Sequence, residues 1–64
     1  MKYEVGDIIE YNKEHFYVLG INKDNVLFPY RLKLLTGYKA GYISNWSKAI
    51  EDESELVKGN NYVN

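Results

Sequence analysis

In the middle of the chain, apolar and polar residues alternate with a period of two. Tyr30-Arg31-Leu32-Lys33-Leu34 sets Tyr30, Leu32 and Leu34 on one face and Arg31 and Lys33 on the other. This is the pattern of a half-buried antiparallel strand. Tyr38-Lys39-Ala40-Gly41-Tyr42 reads as a second arm. Between them, Leu35-Thr36-Gly37 suits a three-residue hairpin loop, with Gly37 in the left-handed position that a Cβ disfavours. In that register Leu34 faces Tyr38, Leu32 faces Ala40 and Tyr30 faces Tyr42. The outer face then carries Arg31, Lys33, Lys39, Gly41 and Ile43. A two-residue Thr36-Gly37 loop would slip the pairing by one and bury Lys39 without a partner, a costly arrangement.

The flanking segments continue the β pattern. Gly6-Asp7 reads as a tight bend leading into a strand, Ile8-Ile9-Glu10-Tyr11. Asn12-Lys13-Glu14-His15 reads as a loop. Phe16-Tyr17-Val18-Leu19-Gly20-Ile21 has no polar face, so it is either central and covered on both sides or curled with Gly20 at the bend. Asn22 to Asn25 form the next turn, and Pro29, which has no N–H for a ladder, marks a strand start or edge. Ser44 to Ile50 predicts a short helical turn, capped by Ser44 or Ser47, with Trp46 and Ile50 both pointing inward. Glu55-Leu56-Val57-Lys58 is a closing strand, in competition with a longer helix over 47–58 whose apolar stripe would be weaker. The expected domain spans 1–58, with 59–64 a flexible tail.

Composition narrows what such a chain can do. Sixty-four residues with no cysteine make one small core, burying about 60% of the unfolded surface and having no disulfide to help. A single histidine, His15, does not make a zinc set, and Glu51 to Glu55 lack the spacing of a calcium loop. No catalytic grouping, cofactor or metal is expected. No apolar run reaches the roughly 20 residues of a membrane helix, and the polar N-terminus does not read as a signal peptide, so the expectation is a cytoplasmic protein. The net charge is −1, yet 25–50 contain no acid, and Glu51, Asp52, Glu53 and Glu55 follow together. The result is a dipolar surface. Seven Tyr, two Phe and one Trp are more ring than so small a core encloses.

Val5-Gly6-Asp7-Ile8-Ile9-Glu10-Tyr11, then Phe16 to Ile21, the Thr36-Gly37 hairpin, Trp46 and a short last strand together resemble the SH3-like barrels. The opening is similar to those of KOW and Tudor barrels, and over roughly residues 3–58 the chain is similar to the YorP-like proteins of Bacillus prophages. The resemblance implies an all-β, SH3-like antiparallel barrel of about five strands with a helical turn before the last. It also implies a phage or mobile-element origin. It transfers no site residues, because SH3-like barrels serve many functions.

The expected function is a non-catalytic binding module for a protein partner, acting as an inhibitor, adaptor or assembly piece. Phe28, Tyr30, Arg31, Lys33, Tyr42 and Trp46 are its candidate contacts, being of the types that dominate interfaces or lying near them. Trp46 equally suits a plug for the barrel end. The alternative is nucleic-acid binding through Arg31, Lys33, Lys39 and Lys48, a salt-sensitive mode.

Overall fold

A computed structural model describes residues 1–60. It contains β1 (Ile8–Tyr11), β2 (Glu14–Ile21), β3 (Tyr30–Leu34), β4 (Ile43–Trp46), α1 (Ile50–Glu53) and β5 (Glu55–Lys58). The strands form one antiparallel sheet in the order β4-β3-β2-β1-β5. The expected all-β class, the five strands and the short helix before the last strand are therefore present.

Local chemistry accounts for the connections. β1 and β2 are joined by Asn12 and Lys13 alone, at φ 54° and 67°, the left-handed pair that a two-residue hairpin turn requires. The expected four-residue loop is thus a tight turn, and Glu14 and His15 belong to β2. His15 faces Glu10 across the ladder, its Nε2 3.5 Å from Glu10 Oε1. β2 occupies the middle of the sheet and shifts register between Val18 and Gly20. Of the alternatives read from its apolar run, the curled one holds: Phe16 and Val18 are buried, and Tyr17, Leu19 and Ile21 are half-buried.

The inner face carries Ile9, Phe16, Val18, Tyr30, Leu32 and Leu34, closed over by Tyr3 and Ile50. Trp46 sits at its margin, 5.3 Å from the Tyr11 ring and 5.3 Å from the Phe16 ring, edge-on to both. Its indole N–H donates to Ser44 Oγ at 2.9 Å.

Trp46 explains the largest departure from the expected pairing. β3 pairs with 43–46, not 38–42: Tyr30 faces Trp46, Leu32 faces Ser44 and Lys33 faces Ile43. The even-numbered residues still point inward, as expected, but the register lies four residues further on. Pairing Trp46 with Tyr30 packs the largest ring of the chain against Tyr11 and Phe16, a larger apolar contact than Tyr42 would bring to the same place. Residues 35–42 become a longer loop. It is closed by Leu34 N–H donating to Tyr42 O (2.8 Å) and Gly41 N–H donating to Leu34 O (2.6 Å). Gly37 keeps its expected left-handed role at φ +80°, and Gly41 takes a second such position at +100°. Tyr38, expected inside, is 99% exposed, and Ala40 and Tyr42 are exposed as well.

Trp46 therefore ends a strand and does not begin a helical turn. The turn starts later: Ser47 O accepts from Ile50 N (3.1 Å), and Ser47 Oγ accepts from Ala49 N (3.1 Å). Ser47 thus bonds the turn leading into the helix, whose N-cap is Ala49 with no side-chain cap, so neither serine considered caps the helix itself. α1 then covers only Ile50–Glu53, and β5 pairs with β1 as the closing strand.

The Gly6-Asp7 bend is also present. Gly6 stands at φ +97°, and the buried Asp7 carboxylate accepts from Glu4 N (2.9 Å) and Asn60 N (2.7 Å). Asn60 also donates to Val5 O at 2.7 Å. The start of the expected tail is thus tied down, and its remainder, 61–64, lies outside the described residues.

Gly37 allows a direct check of the loop. A Cβ there would meet the Glu14 carboxylate, which accepts from Thr36 Oγ1 at 3.3 Å. We expect Gly37→Ala to destabilise the protein by about 1–2 kcal/mol through left-handed strain and displacement of Glu14. A denaturant midpoint equal to or above wild type would contradict this.

Candidate functional site: a cleft beside Phe28 and Arg31

The loop from β2 to β3 is held by its own polar groups. Asn22 N–H donates to Pro29 O (2.8 Å) and Asn25 N–H to Asn22 O (3.1 Å). The side chains add two bonds: Asn22 Oδ1 accepts from Asp24 N (3.0 Å) and Asn25 Oδ1 accepts from Phe28 N (3.0 Å). Pro29 is buried at the foot of the loop and Phe28 is half-exposed beside it. A loop bonded in this way presents its apolar residues from a defined backbone.

On the outer side of the sheet this loop borders a cleft of about 270 Å³. Gly20, Phe28, Arg31 and Asn45 line it together with Asn22 and Asn25. Arg31 lies opposite Gly20 on β2 and opposite Asn45 on β4. Gly20 keeps the floor open: a Cβ there would have only Arg31 Cβ within reach, at 4.0 Å. Among the described residues, Arg31 has no acidic partner and its guanidinium makes no hydrogen bond; the one close approach of a basic to an acidic side chain is that of His15 to Glu10. An exposed guanidinium beside a half-exposed ring is chemically unspent.

Of the residues singled out from sequence, Phe28 and Arg31 are brought together here. Lys33 follows on the outer face, half-buried between Tyr17 of β2 and Ile43 of β4, where its stem covers apolar surface. Tyr42 is exposed but precedes β4 at the far end of β3, with Leu35 and Tyr38 of the long loop. Two candidates fail as contacts. Tyr30 is 0% exposed on the inner face. Trp46 is half-buried against Tyr11 and Phe16 and takes the plugging role instead.

The basic quartet is also dispersed. Lys39 lies in the 35–42 loop and not on a strand, so it does not share the strand face of Arg31 and Lys33. Lys48 borders an adjoining depression with Met1, Lys23 and Val26, which meets the Arg31 cleft at Asn25 and Pro29. Asn45 and the loop asparagines were missed by sequence reading. Asn45 fell inside an expected helical turn, and Asn22 and Asn25 read only as turn formers.

A second polar cluster is structural. The Tyr30 hydroxyl donates to Glu51 and accepts from Tyr3 N at 3.2 Å. Tyr3 and Ser54 share a hydroxyl–hydroxyl bond of 2.8 Å, and Ser54 Oγ donates to Ile50 O. Lys2 joins through its N–H to Glu51 Oε2 (3.1 Å) and its ammonium to Glu51 O (2.8 Å). Burial, reinforced by the bond to Glu51, pushes the Tyr30 phenol up to about 12. Burial alone would raise the Glu51 carboxyl, but the bonds from Tyr30 and Lys2, with the charges of Lys48 and the N-terminus, hold it below its ordinary value. These bonds tie the N-terminal segment, β3 and α1 together and are spent on one another.

No group of three or more metal-ligating side chains occurs among the described residues, and no helix there is long and apolar enough to cross a membrane. Comparison with protein-family models, with curated proteins and with solved structures found no match.

Proposed function

We propose that this protein is a non-catalytic binding module of the SH3-like kind, docking a protein partner on the outer face around Phe28 and Arg31. The supporting observation is that Arg31, with no acidic partner among the described residues, lines one cleft with Phe28 on a hydrogen-bonded loop. Arginine and aromatic residues in a defined pocket are the groups that carry most interface energy. Lys33, Tyr17 and Ile43 extend the same face and would set the partner's orientation. Neither a cofactor nor a metal is needed for this role. The resemblance of the opening strand to prophage barrels extends the proposal to a phage-encoded protein working in its host's cytoplasm.

The test is capture from an extract of the source cells. Arg31→Glu should cost about 2 kcal/mol or more of binding, roughly thirtyfold, with an unchanged melting curve. Phe28→Ala should weaken the same interaction. A retained partner that ignores both substitutions would end the proposal. Binding instead to a short oligonucleotide, falling steeply with salt and lost on Lys33→Glu or Lys39→Glu, would replace it with the nucleic-acid reading.

A further inference from the structure

We infer that the cleft beside Arg31 takes a carboxylate, supplied by an acidic side chain that its partner presents next to an apolar one. The inference rests on the protein-binding reading and adds the chemistry of the contact. It follows from which polar groups of the cleft are already used. Asn22 and Asn25 each spend their side-chain oxygen on a backbone N–H, of Asp24 and Phe28 respectively, both at 3.0 Å. Each amide is thereby oriented, with one lone pair of its oxygen committed to the loop and both N–H bonds of its NH₂ left to donate. Among the described residues neither NH₂ is engaged, nor is the Arg31 guanidinium. With the unengaged amide of Asn45, which can turn either its oxygen or its NH₂ to a ligand, the lining holds more free donors than acceptors and so favours an acceptor-rich ligand. Arg31 adds a planar donor fork that matches a carboxylate through two parallel bonds.

The rest of the lining favours a peptide carboxylate over a phosphate. Arg31 is the sole cation lining the cleft itself; Lys23 and Lys48 line the adjoining depression across Asn25 and Pro29. Phe28 and Pro29 form an apolar wall beside Arg31, suited to the side chain adjoining the acid. A volume of about 270 Å³ suits a side chain or two, not a folded surface.

The probes are two blocked dipeptides, N-acetyl-aspartyl-phenylalanine amide and its asparaginyl counterpart, with inorganic phosphate as a third arm. Binding is followed by NMR on the side-chain N–H signals of Arg31, Asn22, Asn25 and Asn45. The aspartyl peptide should shift these signals and bind about tenfold more tightly than the asparaginyl one, as a charge-assisted pair does. Arg31→Gln should abolish the difference. Asn25→Asp is the sharper variant: it keeps the acceptor for Phe28 N–H but turns the free donor into a carboxylate oxygen. It should fold normally and lose the aspartyl peptide.

Equal binding of the two dipeptides overturns the carboxylate assignment while leaving a peptide-binding cleft. Absence of any aspartyl-dependent shift overturns the assignment as well, and the Arg31→Glu capture experiment then decides the broader reading independently. Phosphate binding more tightly than the aspartyl peptide overturns the assignment in favour of a nucleic-acid or nucleotide ligand.

Discussion

Tyr30→Ala should leave the chain largely unfolded. Tyr30 has no exposed surface, and its ring meets that of Tyr3 edge-on at 6.1 Å. Removing a buried aromatic costs about 3–5 kcal/mol in transfer and cavity terms. A domain of this length holds only about 3–10 kcal/mol in total at the usual value per residue. The hydroxyl adds to the loss, because Tyr3 N–H and Glu51 would both lose their partner on β3. Far-UV circular dichroism and a thermal melt provide the check, and a variant melting within a few degrees of wild type would contradict the placement. The outcome bears directly on function. Read as a surface contact, Tyr30 would tolerate alanine and lose only binding. Read as the centre of the core, it takes the fold with it, so binding experiments at this end of the sheet belong on Arg31 and Phe28.

The same residue shows which features were legible in the sequence. Alternation placed Tyr30, Leu32 and Leu34 inward correctly, because a period of two leaves a strand no other way to bury leucine. Gly37 was legible because a left-handed position selects glycine whatever surrounds it. The Gly6-Asp7 bend and the last strand were legible for similarly local reasons; the cap was not, since the N-cap is Ala49, with no side-chain cap. The register of β3 on β4 was not. Two stretches, 38–42 and 43–46, offer the same parity to β3, and the choice depends on where Trp46 finds Phe16 and Tyr11, contacts distant in sequence. That error propagated into the site. With 38–42 as the partner strand, Lys39 would have shared the outer face with Arg31 and Lys33, and Gly41 would have faced Arg31; with 43–46, Asn45 does. Phe28 was legible because it precedes a proline, which keeps it extended. The cleft itself was not, because it forms where a bulge, a loop and three strands meet.

The folded protein should lose stability at alkaline pH through Tyr30. Its phenol, raised by burial and by the bond to Glu51, keeps its proton to about pH 12, against 10.0 for an ordinary tyrosine. Between those values the unfolded chain releases this proton and the folded one retains it. The unfolded state then binds fewer protons, so stability falls as pH rises. The contribution is fully present below pH 10.0 and is lost on approach to about pH 12; a difference of that size corresponds to about 3 kcal/mol. The structural reason is that Glu51 stays ionised by accepting the Tyr30 hydroxyl, and a phenolate there would set two anions together in a half-buried site. Tyr30→Phe isolates the effect, since the other tyrosines and lysines titrate in both proteins. At neutral pH it should cost about 1–2 kcal/mol for the lost bonds. Urea denaturation at steps from neutral pH to about pH 12 should show the gap between wild type and Tyr30→Phe closing and then reversing as pH rises. Parallel curves would mean that the hydroxyl does not hold its proton against Glu51, and that the tie between β3 and α1 is made by packing alone.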